Sequence, residues 1–338
     1  MRGVAHEWFK CYLTDRCQFT ADDNANSSAL KITCGIPQGS VLDPLLLLIY
    51  INDIINSVPD KDLKLFADDT NLFVTGATFE AANKSANEAV ANLHKWFTAN
   101  KLTLNIDKTC YMAFPPVKAD SIALTINGVN ISKVKSCKYL GVVIDEDLKW
   151  TEHIQTVYQK LVRYTSIFYK LRHKIPQTVL TNIYFAFVHP HILYGIEIYA
   201  NTCPTFLEKL IRLNNKLLRT LQNKPLRHPL SELYCQYNTM PINMLHQYQL
   251  MLLVHKCQHH VEKMPDVFRN YFELNSSIHT HNTRTKNSIH LFRSKTTFGQ
   301  RCFKYRTSNF WNDLPADCKE ESCTNTFKSK LKDYLLAR

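Results

Sequence analysis

Apolar residues follow two regimes along the chain. Up to Trp150 they come in short runs broken by polar, glycine or proline positions; beyond it they recur at three- and four-residue spacing over long stretches. In the first regime VAHEWFKCYLTDRCQF has the period of an amphipathic helix through Trp8, Phe9, Tyr12 and Leu13. ADDNANSSA, from Ala21, reads as a surface loop. CGIPQGSVLDPLLLLIYINDI, Cys34 to Ile54, reads as a glycine- and proline-containing loop feeding a helix with almost no polar face, which should be buried, with Asp43 as N-cap and Pro44 at the first helical position. LKLFADDTNLF, Leu63 to Phe73, reads as strand, tight turn, strand. Phe79 to Asn100 reads as a helix, Lys101 to Phe114 as a loop and strand, and Asn127-Gly128 as a hairpin turn. Lys138 to Trp150 reads as a short strand and turn. In the second regime helices are expected at 153–174, 177–199 and 205–223, punctuated by Pro176, Pro204 and Pro225, followed by short helices alternating with basic loops. No internal repeat or low-complexity tract interrupts this order.

The pair Asp68-Asp69 stands out from its apolar surroundings. Two adjacent carboxylates among large apolar residues are costly unless a cation or several donors face them. In a solvated turn such a pair needs no cation. Here Leu63, Leu65 and Phe66 lead in and Leu72, Phe73 and Val74 lead out, so the pair sits at the tip of a hairpin, on backbone fixed from both sides. That arrangement makes a metal site a candidate beside the plain turn.

Composition is that of a globular protein, 45% hydrophobic and 21% charged over 338 residues, long enough for two or three domains. The longest apolar run, PLLLLIYI at Pro44 to Ile51, is too short to span a bilayer, and the N-terminus lacks a signal-peptide layout. Eleven cysteines without a C-x-x-C motif read as reduced, intracellular thiols. His255, Cys257, His259 and His260 lack a second ligand pair at zinc-site spacing. Charge is more informative. Residues 1–150 hold 15 Lys/Arg against 17 Asp/Glu, net −2, while residues 151–338 hold 26 against 12, net +14. No acid occurs between Glu273 and Asp313, where Arg284, Lys286, Arg293, Lys295, Arg301, Lys304 and Arg306 alternate with Phe292, Phe298, Phe303, Tyr305, Phe310 and Trp311. Cations can neutralise phosphates while aromatics stack on bases, or the aromatics can be core and the cations a solvated face.

The order GIPQGSVLDPLL, LFADDTNLF, LNIDKT, KYLGVVID carries a resemblance. The chain resembles the reverse transcriptase of non-LTR retrotransposons, most closely the jockey-like elements of arthropods. That resemblance implies an RNA-directed DNA polymerase, a nucleotidyltransferase that copies an RNA template from a DNA primer using dNTPs and two Mg²⁺ ions. It assigns Asp68 and Asp69 to the catalytic metals and Lys108 to the departing pyrophosphate. Gly35, Pro37, Gln38 and Gly39 match the loop beneath the templating base and incoming nucleotide. Tyr139, Leu140 and Gly141 match the primer-grip turn, with an ordinary hairpin as the alternative.

The implied fold class is α+β: a reverse-transcriptase palm remnant at 1–150, with an antiparallel sheet and helices, a helical thumb at 151–235 and a mostly helical basic C-terminal domain at 236–338. Two departures from the family pattern matter. Asp43 stands where the family usually has glycine, adding a charge near the nucleotide. The family's first catalytic aspartate, in a Phe-Asp context, and its fingers precede the point that matches Met1-Arg2-Gly3-Val4, and many such elements carry an endonuclease further upstream. The expectation is therefore a truncated chain, inactive alone. A noncatalytic nucleic-acid-binding remnant is the competing reading, and another palm-type polymerase or cyclase is disfavoured by the GIPQGS loop. No membrane role is expected.

Overall fold

The computed structural model describes residues 2–23, 25–33, 35–36, 39–114, 123–278 and 285–337, which fall into two units, Met1–Val134 and Lys135–Arg338. Together they mix helices with small sheets.

The first unit opens with α1 (Val4–Leu13), whose Trp8 stacks on Tyr12 at 5.2 Å and which buries no residue. Four two-residue strands follow, β1 (Cys17–Gln18), β2 (Ala21–Asp22), β3 (Ala25–Asn26) and β4 (Leu30–Lys31), with β1 antiparallel to β4 and β2 to β3. The ADDNANSSA segment is thus a small hairpin and not simply a loop. It lacks an alternating pattern because its strand residues all face solvent. Helix α2 (Asp43–Ile51) corrects two further expectations. Its N-cap is Leu42, whose carbonyl accepts the amide of Leu46 at 2.9 Å; Asp43 lies inside the first turn, its own amide donating to Ser40 Oγ at 3.0 Å. A carboxylate there still complements the helix dipole. The helix is also not buried: only Ile51 is, while Leu45, Leu48, Ile49 and Tyr50 are about half exposed or more, because no described element covers that side.

Strands β5 (Asp62–Phe66) and β6 (Asp69–Phe73) form the expected hairpin. Helix α3 (Phe79–Ala99) starts where Thr78 Oγ1 accepts the Ala81 amide at 3.2 Å. It buries Ala89 and Leu93, four residues apart on one face, with Ile54, Val58 and Leu63. Strand β7 (Cys110–Tyr111) runs parallel to β10 (Ser132–Lys133), and β8 (Thr125–Ile126) and β9 (Val129–Asn130) close over Asn127 and Gly128, both at positive φ as a type I′ turn requires. Leu124, Ile126 and Ile131 form a second small cluster. The expected mix of helices and antiparallel pairing is present, but among the described residues the strands pair two by two in separate small sheets, one of them, β7 with β10, parallel. With two to five residues each, these strands satisfy their backbone groups locally.

The second unit begins with the antiparallel pair β11 (Ser136–Tyr139) and β12 (Val142–Asp145). Asp145 is buried, and its carboxylate accepts the amides of Lys149 (2.8 Å) and Trp150 (2.6 Å), fixing the turn into α4 (Thr151–Leu171). The expected 177–199 helix is three: α5 (Gln177–Phe187), α6 (His189–Leu193) and α7 (Ile196–Tyr199). Pro190 cannot continue the preceding amide ladder, and Gly195 at φ 70 turns the chain again. Next come α8 (Pro204–Leu221), α9 (Leu230–Gln236) and α10 (Ile242–His259). They are followed by α11 (Asn275–Ile278), α12 (Thr297–Arg301), α13 (Phe303–Asn312), α14 (Ala316–Lys319) and α15 (Thr324–Ala337). Helix α8 buries Leu207, Leu210, Leu213, Leu217 and Leu221, a stripe at helical spacing that packs on α4. Each such leucine contributes about 2 kcal/mol by burial. One apolar cluster extends from Ile154 to Leu335, so the helices before and after residue 235 share a core.

Three histidines at the end of α10 serve this packing. His255 Nε2 donates to the Glu321 carbonyl (2.8 Å), His259 Nε2 to Lys319 (2.8 Å) and His260 Nε2 to Ser322 (3.1 Å), pinning the link from α14 to α15.

Candidate functional site

Asp68 reaches its position through the shortest hairpin loop. Phe66 pairs with Asp69, so Ala67 and Asp68 alone form the turn. Ala67 takes φ 50, a left-handed conformation that costs an L-residue about 1–2 kcal/mol. The five-residue ladder on each side holds that strained turn in place. Asp68 and Asp69 are both exposed, and among the described residues no hydrogen bond or ion pair engages either carboxylate. Both therefore offer free oxygens, the donor type that suits a hard cation such as Mg²⁺. Among the described residues no three His, Cys, Asp or Glu side chains converge as a metal cluster, so the hairpin's contribution is two carboxylates. Asp62, at the far end of the same hairpin, is paired with Lys64 at 2.7 Å.

The other residues singled out in the first unit lie on turns. Gly35 and Gly39 both have φ 82, which only glycine adopts cheaply, and the Gly35 carbonyl accepts the Arg16 guanidinium. Pro37 and Gln38, between them, lie outside the described residues. Ser40 Oγ also accepts the Tyr12 hydroxyl at 2.8 Å, tying the end of this loop to α1. Lys108 closes a single 3₁₀ turn, Ile106–Lys108, its amide donating to Asn105 Oδ1 at 3.1 Å while its side chain is exposed.

In the second unit Tyr139, Leu140 and Gly141 form the tip of the β11–β12 hairpin, with Leu140 at φ 45 and Gly141 at φ 83. Sequence reading missed two residues that hold it. The Tyr194 hydroxyl donates to the Leu140 carbonyl, and its ring lies so close to Gly141 that a Cβ there would stand 3.1 Å from Tyr194 Cε1. One residue in from the tip-side Tyr139–Val142 pair, the Val143 amide donates to His153 Nδ1 at 3.2 Å, which requires an imidazole with Nδ1 unprotonated. Burial, helped by Lys160, lowers the pKa of His153 to about 4. Neither contact has a sequence signal, since each joins positions at least ten residues apart without a motif.

The basic stretch divides. Lys286, Arg293 and Lys295 are exposed, and among the described residues no ion pair reaches them; Arg284 lies outside the described residues. The other three have structural partners. Arg301 donates to Cys203 Sγ and to the Thr297 carbonyl (3.2 Å), and Lys304 Nζ lies 5.2 Å from the centre of the Tyr271 ring. Arg306, its pKa lowered by burial, donates to the Ala200 carbonyl at 3.1 Å. The aromatics divide too: Trp311 is core, Phe303 and Phe310 pack against it, and Phe298 is 54% exposed.

Residues 2–144 match the family described as reverse transcriptase (RNA-dependent DNA polymerase). Those residues are reverse-transcriptase sequence. The kind is that of jockey-like, non-LTR retrotransposons. The chain is 26% identical over 226 residues to the RNA-directed DNA polymerase from mobile element jockey of Drosophila melanogaster, covering 64% of this chain and 25% of that one. With the jockey protein of Drosophila funebris the identity is 29% over 213 residues, 60% of this chain and 23% of the relative. With the probable RNA-directed DNA polymerase from transposon X-element of Drosophila melanogaster it is 25% over 223 residues, 63% and 24%. The matched region spans about a quarter of each relative. No solved structure matches. Among the described residues no helix is long and apolar enough to cross a membrane.

Proposed function

We propose that this segment serves RNA-directed DNA synthesis, with Asp68 and Asp69 as metal-binding carboxylates. The observation that carries the reading is the strained two-residue turn that presents both, exposed and uncommitted, on a rigid hairpin. Mg²⁺ bound there would lower the barrier to attack by a primer 3′ oxygen on a nucleoside triphosphate. The chain's own part is to hold the two carboxylates and the phosphates in register. Lys108, exposed on its 3₁₀ turn, meets the pyrophosphate. The loop from Gly35 to Gly39 lets a templating base and nucleotide approach the backbone closely. Tyr139, Leu140 and Gly141 position the primer end. Within this reading 1–150 acts as palm, 151–235 as thumb and 236–338 as the basic region, where Lys286, Arg293 and Lys295 are the cations best placed for phosphates. A noncatalytic nucleic-acid-binding role is less favoured, because it leaves the hairpin's strained carboxylate turn without a purpose.

Mn²⁺ titration followed by electron paramagnetic resonance tests the metal assignment. Two carboxylates without a third ligand should bind weakly, in the millimolar range of roughly 4 kcal/mol, and Asp68→Asn should abolish the binding. Primer extension on poly(rA) by the 338-residue chain should give no dTMP incorporation, since one acidic pair does not complete a three-carboxylate cluster. Mn²⁺ binding that persists in the Asp68→Asn, Asp69→Asn double variant would sink the hairpin assignment.

A further inference from the structure

A cavity of about 820 Å³ opens on the second unit where α7, α10, α13 and α15 meet the turn at Asp266–Phe268. Its volume lies in the range of small-ligand sites. Tyr248, Phe268 and Tyr271 supply aromatic walls, the last two in edge contact at 5.7 Å. Lys256 and Lys328 also line it. Both are exposed, and among the described residues neither is in an ion pair. Glu197 contributes the one carboxylate.

This combination selects a ligand. Aromatic walls flanked by uncommitted ammonium groups suit a flat, weakly polar ring joined to an anion. A purely anionic small molecule would be opposed by Glu197, whereas the amino edge of a base can donate to that carboxylate. An acidic amphipathic peptide would satisfy the lysines. The several aromatic faces and the +14 charge of residues 151–338 instead favour a polyanion that carries π-systems.

We propose that this cavity takes an unpaired base of single-stranded nucleic acid, with Lys256 and Lys328 contacting the flanking phosphates. The proposal rests on the reading of the basic region as a nucleic-acid surface, and it uses residues distinct from Lys286, Arg293 and Lys295. The cavity supplies stacking, and the exposed basic stretch supplies charge without a built pocket.

The full chain is titrated with a 12-nucleotide single strand carrying one 2-aminopurine, as RNA and as DNA, across a salt series. Stacking in the cavity should quench the probe. Tyr271→Leu, which keeps apolar volume and removes the ring, should abolish the quenching and weaken binding roughly tenfold. Lys256→Glu, on an exposed helix face, should weaken binding and reduce the salt slope by about one phosphate's worth, roughly 0.7. Quenching unchanged in both variants would overturn the cavity assignment. So would loss of binding to an acidic amphipathic peptide in those variants while the oligonucleotide binds as before. A separate Arg293→Glu, Lys295→Glu variant distinguishes the two readings. If it flattens the salt slope while the cavity variants do nothing, the basic surface stands and the cavity fails; if neither set changes binding, both fail.

Discussion

Among the described residues, the clusters of buried apolar side chains in the first unit hold five and three residues, while that of the second holds 34. The difference is not one of composition alone, since α2 is among the most apolar segments of the chain and yet leaves Leu48 50% and Ile49 65% exposed. The acidic pair sits in the loosely packed unit, where a local ladder and a strained turn set its geometry and only Leu63, Leu65 and Leu72 seat the hairpin on a small cluster. The β11–β12 hairpin sits in the well-packed unit and is fixed from outside, by Tyr194 and His153. One site is positioned by sequence neighbours, the other by distant ones. An exposed apolar face of the α2 kind marks a surface that other matter tends to cover.

The comparison can be broken most sharply by deleting one leucine from each unit. Leu210→Ala, at a fully buried position on α8, should lower stability by about 3–4 kcal/mol, and Leu48→Ala on α2 by no more than about 0.5 kcal/mol. Urea unfolding monitored by circular dichroism reads both, and equal losses would mean that α2 is packed in solution.

Acid should discriminate next. His153 and His246 are buried in the second unit, and burial lowers their pKa values to about 4 and about 3, with Lys160 and Arg306 contributing. The unfolded chain therefore takes up these protons first, near pH 6.5. Stability is full above that pH and falls as pH drops toward the folded values, by up to about 3 kcal/mol for each histidine at pH 4. Urea midpoints measured between pH 7 and 4 should decline, and the decline should be shallower in His246→Gln. A midpoint flat across that range would show that these histidines are open to water.

The smallest effect sharpens the first unit. Ala67→Gly removes the left-handed strain while adding unfolded-state freedom, so it should stabilise the hairpin by at most about 1 kcal/mol. Hydrogen exchange of the β5 and β6 amides would detect the gain. Slower exchange is expected, and faster exchange would mean that the turn is not strained.

Local elements were legible where one short segment carried the whole instruction. The β5–β6 hairpin, the Asn127-Gly128 turn, α3 and the existence of α4 and α8 followed from period and punctuation, with the ends of α4 and α8 displaced by one to three residues. The burial of α2 was misjudged because an apolar helix reads the same whether or not something covers it. The split of 177–199 was hidden because Pro190 and Gly195 are tolerated singly and only their spacing makes two breaks. The acidic pair was visible as an anomaly of charge in an apolar run. The roles of Arg301 and Arg306 were not, since their partners Cys203 and Ala200 lie about a hundred residues away and a cation in a basic run looks the same free or engaged.

Asp145 at the base of the β11–β12 hairpin and Tyr194 at its tip have a mechanical consequence. A hairpin fastened at one end pivots about that end, and its tip then carries the largest displacement. Fastened at both, to the turn before α4 and to the chain between α6 and α7, it can move only as its helical body moves. Thermal motion at Leu140 should therefore match that of the helices, and Tyr194→Phe, which releases the bond at the tip and leaves those of Asp145 and His153, should free the two turn residues and little else.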